Sequence, residues 1–447
     1  MAAATLAQLL DARRMSITLV ESEVIGTGGV GEATIPPILL FNKMLGISEA
    51  EFVERTKATF KLGIEFVNWG GLGEAYIHPF GDFGTDLETL PLHHHWLRAK
   101  AGGYARDLFA FSLMVQAARR GKFMPPVKGN ARSVLAGIHY AYQFDASLYA
   151  AFLRAFAEAR GVQRVEGKVE HVHLEAETGN VSSLSLDQGQ TIEGEFFIDC
   201  TGFRGLLIEG ALGAGYEDWR RYLPVDRAIA LPSESIAPPL PYTRATAHDA
   251  GWQWRIPLQH RTGNGHVYCS EFTTDDAALE TLRTNIEGPP LSEPKQLRFT
   301  TGHRREFWKK NTLALGLAAG FMEPLESTSI HLVQTGLARL MSLFPDKRFN
   351  QVDIDAYNSK TLNEYERVRD FLVLHYIATK REDSAFWRYC QTLPRPDTLQ
   401  QKIDQFETSG RIFREQNELF TQSSWLAVMH GQGLRPQAWT PISDRFA

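Results

Sequence analysis

The densest chemistry in this 447-residue chain lies in Glu323-Pro324-Leu325-Glu326-Ser327-Thr328-Ser329. A Ser/Thr cluster feeding a run with Leu332, Leu337 and Leu340 apolar predicts a helix start. The first amides of such a helix lack an intrahelical acceptor, which makes a ready anion site. Glu326 stands at its mouth; an ordinary capped helix is the plain alternative. Just upstream, residues 313–320 (LALGLAAG) are small and apolar and leave room for a flat ligand. Glycines recur at Gly26-Thr27-Gly28-Gly29-Val30-Gly31, a literal GxGxxG, and in residues 197–205 (FIDCTGFRG), an apolar strand running into a glycine turn. Either can bring backbone close to a cofactor, although a tight turn after a core strand explains the second equally well. In residues 251–258 (GWQWRIPL), Trp252 and Trp254 alternate and share one strand face, as core or as a flat wall beside an aromatic ring system. His93-His94-His95 invites a metal, but three consecutive residues cannot all converge from regular structure and no cluster with ligand spacing backs them. No metal is expected.

The elements that must position these residues read as a mixed α/β chain. Residues 1–14 (MAAATLAQLLDARR) predict a helix, and 16–20 (SITLV) a buried strand ending in Glu21. In a dinucleotide-binding unit a strand, a glycine turn and a helix precede a second strand whose terminal acid meets the adenosine ribose. Here the helix, second strand and acid open the chain, so a strand and glycine turn are expected upstream of Met1. The GxGxxG at 26–31 follows the acid-ended strand and is not that first turn. Runs 39–44 and 49–62 predict helices, with Lys61 within or just after the second. Residues 104–160 read as mostly helical, 165–186 as a β-meander, and the chain from 349 onward as helical and aromatic.

A hydrophobic content of 43% permits a large core, and a net charge of −5 offers no broad basic face to nucleic acid or an acidic membrane. Cys200, Cys269 and Cys390 lie far apart without a CxxC pair, which suits a reducing cytoplasm. With no signal peptide and no run of about 18 apolar residues, a soluble cytoplasmic protein is expected.

Taken together, GVGEATIPP (29–37), FKLGIEFVNW (60–69), FIDCTGFRG (197–205), GWQWRIP (251–257) and EPLESTSI (323–330) resemble the flavin-dependent tryptophan halogenases. The likeness runs through nearly the whole chain, and the WxWxIP element beside EPLEST is more specific than any single glycine motif. It implies a para-hydroxybenzoate-hydroxylase-like FAD-binding module, a Rossmann-type sheet plus a β-sheet, over residues 1–345 with a helical insertion at about 85–140. A mostly helical substrate module, 346–447, would pack on it. FAD would arrive reduced from a separate flavin reductase, because no second dinucleotide fold for NAD(P)H is visible. A chloride or bromide ion would be oxidised to hypohalous acid at the flavin and travel to Lys61.

Lys61, in the KLGI motif, matches the catalytic lysine of the family, and Glu326 its catalytic glutamate. The amine would hydrogen-bond hypohalous acid or form a haloamine; the carboxylate would polarise the halogen or accept the ring proton. The halide would sit on backbone at Thr328 and Ser329. Cofactor contacts would come from Glu21, from Gly29, Gly31, Glu32, Ala33 and Thr34, and from Gly202, Gly316 and Leu325. Trp252 and Trp254 would wall the flavin from substrate, while His78, Phe80 and Trp425 line the indole pocket.

Two departures bear on specificity. Tryptophan-specific members grip the charged groups of the amino acid with paired tyrosines and a glutamate. An ungapped reading from Trp425 puts Phe413, Arg414 and Phe420 there instead. Many members also have glycine where Ser329 stands. Indole or a larger indole compound is therefore expected to outperform tryptophan. Two other readings stay open: a flavin-dependent aromatic hydroxylase, and a truncated flavoprotein that binds a partner without turnover. A monomer or homodimer fits any of them.

Overall fold

Thr243–His248 alternates buried and half-buried residues, the period of a strand with one face on a core. It lies inside a seven-stranded sheet ordered Lys295–Arg298, Arg227–Ala230, Thr262–Tyr268, Gly251–Pro257, Thr243–His248, Gly63–Val67 and Ala75–Pro79. All neighbours pair antiparallel except Thr243–His248 with Gly63–Val67. The computed structural model describes residues 1–25, 32–130, 133–416 and 418–445, with Glu32 as backbone only. Gly265 faces Trp254 across the sheet, and a Cβ there would stand 2.0 Å from the indole. That missing side chain lets the tryptophan lie against its neighbouring strand.

Parallel pairing also forms two short ladders outside that sheet, Thr18–Glu21 with Gln163–Glu166 and Phe197–Asp199 with Thr312–Ala314. The second runs into the left-handed glycines Gly202 and Gly316, so two turns emerge from adjacent strand ends. Val169–Leu174, Val181–Leu186 and Thr191–Glu193 form the expected meander.

Two helical expectations are corrected. The helix predicted over 49–62 spans Glu49–Thr56, capped by the Ser48 side chain and ended by left-handed Lys57 (φ +53°). Lys61 is the last residue of strand Thr59–Lys61. Residues 104–160, predicted mostly helical, contain Leu113–Arg119 and Ala146–Glu158 as helices but also strand Ala141–Phe144. The reason is shared. Ala141–Phe144 pairs on one edge with Glu32–Ala33 and on the other with Thr59–Lys61, and its aromatics favour that pleated surface over a helix.

The C-terminal part is helical as expected: Gln351–Ile377, Ala385–Gln391, Asp397–Ser409 and Gln422–Gly431. Every residue from Val368 to Ile377 is buried, so the last turns of the long helix are core on all sides. Trp69 joins this helix to the sheet, with ring centroids 6.3 Å from Trp252, 6.0 Å from His375 and 5.4 Å from both Tyr376 and Trp387. Its Nε1 donates to the Ala245 carbonyl at 3.0 Å. No helix among the described residues is long and apolar enough to cross a membrane.

Candidate active site

Strand Thr59–Lys61 delivers Lys61 into the interior, where it has no exposed surface. Its Nζ donates to the Thr34 carbonyl (3.0 Å) and to Ser327 Oγ (2.9 Å) and stands 5.2 Å from the Phe80 ring centroid. Burial disfavours the ammonium and brings its pKa down to about 7, against the opposing pull of Glu326. A buried amine poised near neutrality serves equally as donor and nucleophile.

Ser327 reaches the lysine because its backbone is left-handed (φ +58°), an unfavourable conformation for a residue with a Cβ. The kink ends the 3₁₀ turn Pro324–Glu326 and precedes helix Ser329–Ser342. Leu325 and Glu326 are buried on one side of it, and Thr328 occupies the N-cap position on the other, with no side-chain cap. The amides of Thr328 and Ser329 open that helix, where no intrahelical carbonyl lies one turn back. The Thr328 hydroxyl is also buried without a partner among the described residues.

Glu326 is fully buried between two imidazoles. His78 Nδ1 lies 2.9 Å from Oε2, and His375 Nε2 lies 2.9 Å from Oε1. Burial acts to raise its pKa, but the two rings outweigh it and hold the carboxyl down at about 2. His375 Nδ1 is 2.8 Å from the Phe371 carbonyl. His375 and Ser327 were not singled out from sequence. The signal for His375 was a lone basic residue in an otherwise apolar helical run, FLVLHYI.

The tryptophan pair shares a face as expected, with ring centroids 6.2 Å apart. Trp252 Nε1 donates to Glu323 Oε2 at 2.7 Å. At the substrate end, Phe420 stacks on Phe371 (3.7 Å) and stands 6.3 Å from His78, while Phe371 meets Trp425 edge-on at 4.9 Å. The predicted pocket residues His78 and Trp425 thus meet around Phe371.

Of the two residues standing for the paired tyrosines, Phe413 is exposed, and the Arg414 guanidinium donates to the Glu418 carbonyl. Glu418 escaped the sequence reading. It is buried with Oε1 accepting from Trp425 Nε1 (2.9 Å) and Oε2 facing Lys402 Nζ (3.2 Å). Both of its oxygens are already engaged inside the protein.

The predicted cofactor residues are partly assembled. Gly202 (φ +72°) and Gly316 (φ +60°) are left-handed, and a Cβ on Gly202 would meet nothing within 4 Å. Arg304 ties their turns together, donating to the carbonyls of Phe203 and Ala318, both at 3.1 Å. Paired left-handed glycine turns at adjacent strand ends fit a flat cofactor such as FAD. Ala33 and Thr34 are buried next to Lys61, and Thr34 Oγ1 donates to the Tyr142 carbonyl. Glu21 ends its strand but is engaged by Arg154 (2.9 Å) and Arg164 (2.6 Å). Gly29, Gly31 and the Glu32 side chain lie outside the described residues. The histidine run sits on helix Leu92–Ala101, where His93 Nε2 donates to the Gly410 carbonyl and His94 Nδ1 accepts from the Thr440 amide. No group of three potential metal ligands occurs among the described residues.

Comparison with known proteins accords with this geometry. The family model for tryptophan halogenases matches residues 1–447, and the chain belongs to that family of flavin-dependent enzymes. Tryptophan 6-halogenase SttH of Streptomyces toxytricini is 35% identical over 97% of this chain and 88% of its own. Two solved flavin-dependent halogenases are closer in sequence than that. One, from Xanthomonas campestris, is 49% identical, covers 100% of this chain and 89% of its own, and superposes with a TM-score of 0.96. The other, BrvH from Brevundimonas, is 45% identical with the same coverage and the same TM-score. The fold is therefore the para-hydroxybenzoate-hydroxylase-like FAD-binding module joined to a helical module.

Proposed function

We propose that this protein uses reduced FAD, oxygen and chloride or bromide to halogenate an indole-type aromatic compound, with Lys61 and Glu326 as its catalytic residues. Bound reduced FAD supplies, with oxygen, the two-electron oxidation that turns halide into hypohalous acid. The protein does the rest. The amides of Thr328 and Ser329 hold the halide, and Trp252 and Trp254 separate the flavin from the aromatic substrate. Lys61 receives the hypohalous acid at Nζ, either by hydrogen bonding or by exchanging a proton for halogen with loss of water. Glu326, kept ionised by His78 and His375, takes the proton that the indole carbon releases.

The observation that carries this reading is the buried Lys61–Ser327 hydrogen bond beside an ionised, equally buried Glu326. Buried ionisable side chains are costly unless paired, and groups with strongly shifted pKa values gather at functional sites.

The sequestered Glu418 and the departures at Phe413 and Arg414 favour an uncharged indole over tryptophan. No second nucleotide fold was read in the sequence, so a separate reductase would supply reduced FAD. The test is to combine the protein with FAD, a flavin reductase, NADH and either halide, and to screen indoles by mass spectrometry. A halogen mass shift that requires the reductase is expected; hydroxylated product, or none from any indole, would refute the proposal.

A further inference from the structure

Glu323 has no part in the chemistry above, yet two elements converge on one of its atoms. The side chain is fully buried. Oε2 accepts from Trp252 Nε1 on the sheet (2.7 Å) and from the Tyr376 hydroxyl on the long helix (2.7 Å). Glu323 itself belongs to the loop that ends at Glu326 and Thr328. Its other oxygen, Oε1, is buried without a hydrogen-bond partner among the described residues.

We propose that Glu323 is a positioning residue, a neutral acid whose Oε2 locks the Trp252 indole and Tyr376 to the loop carrying Glu326. The consequence for halogenation rests on the proposed function; the geometry does not. A buried indole N–H and a buried phenol both need an acceptor, and one carbonyl-type oxygen with two lone pairs serves both. Two donors on Oε2 leave the acid proton on Oε1. An ionised group would instead bury a charge with one oxygen unpaired, which costs more than an unpaired O–H. Burial, which pushes this carboxyl up to about 7, acts in the same direction.

The grip is staggered along the helix. Tyr376 holds Glu323 while its neighbour His375 faces Glu326, so adjacent residues of one rigid element fix the loop at two points. Trp69 packs against Trp252, His375 and Tyr376 together, which transmits any loosening of the clamp to the tryptophan wall.

The experiment compares Glu323→Leu, Glu323→Gln, Tyr376→Phe and Trp252→Phe. Glutamine keeps a neutral carbonyl where Oε2 lies; leucine removes it. Without added flavin, the hydrogen-bonding state of Trp252 is read by ultraviolet resonance Raman as wild type minus Trp252→Phe. The strongly hydrogen-bonded indole band should persist in Glu323→Gln and vanish in Glu323→Leu. In turnover, halogenated product per reduced flavin consumed should fall about tenfold in the leucine variant, the scale of one lost positioning bond, and recover in the glutamine variant. FAD affinity should be unchanged in both. Identical behaviour of leucine and glutamine, or a wild-type band in leucine, overturns the proposal. If the leucine variant does not fold, Tyr376→Phe decides: an unshifted band and unchanged product yield overturn it. Should wild type make no halogenated product, the functional reading fails, while the flavin-free spectra still judge the clamp.

Discussion

Glu323 and Glu326 sit three residues apart, both fully buried, yet they are driven in opposite directions: the first up to about 7, the second down to about 2. Burial is the largest influence on each and acts to raise both. The difference lies in the partners. Glu323 meets neutral donors, an indole N–H and a phenol, which offset only part of the burial. Glu326 meets two imidazoles that favour its charge. Depth alone therefore does not decide which of two neighbouring carboxyls is a base and which a structural acid; the chemistry of the contacting groups does.

Removing the third buried group near this pair should have the largest effect. Lys61→Ala is expected to abolish halogenation while FAD binding, followed by flavin fluorescence, stays intact; near-normal product from this variant would end the mechanism. Next, Glu326→Gln keeps shape but cannot accept a proton, and kcat should drop by about two orders of magnitude or more. A mild effect would mean the ionised member of the pair is no more catalytic than the neutral one.

Substrate choice is a smaller effect. The carboxylate bonded to Trp425, Glu418, is committed to Lys402 and Trp425. Tryptophan would then desolvate its charges without compensation, and kcat/KM for indole should exceed that for tryptophan by about tenfold or more. A higher value for tryptophan refutes this.

The smallest effect sharpens the comparison through stability. Glu323 rises from 4.5 to about 7 on folding, so between those pH values the folded chain holds a proton the unfolded chain has lost. The stability of wild type relative to Glu323→Gln should therefore be full below pH 4.5 and decline as pH rises through 7. Glu326 falls from 4.5 to about 2, so its advantage over Glu326→Gln should be full above 4.5 and decline as pH falls. Each slope is at most about 1.4 kcal/mol per pH unit. Chemical denaturation across pH checks both, and slopes of the same sign would contradict the assignments.

Much of the site was legible from sequence because motifs keep their residues together. Lys61, Glu326, His78 and the tryptophan pair could be named, and so could the strand face on which Trp252 and Trp254 lie. The element carrying Lys61 was misread, because Glu49–Thr56 is a genuine helix and the chain beyond it becomes a strand only by pairing with Ala141–Phe144. His375, Tyr376 and Glu418 were missed because each acts through a partner in another segment. An isolated polar residue in an apolar helix shows that some partner exists, without showing which.

By itself, then, the sequence determined the local periods: the alternation of the sheet strands, the helical chain from 349 onward, the glycine turns and the family of motifs. These follow from backbone preference and from which face of an element is apolar, both readable within a dozen residues. Only the tertiary structure decided that Lys61 is buried and poised near neutrality, that Glu326 is ionised and that Glu323 is held in the opposite sense. Ionisation depends on desolvation and on the nearest charges, and here those come from distant segments: Glu326 acts on Lys61, and His78, 248 positions away, acts on Glu326.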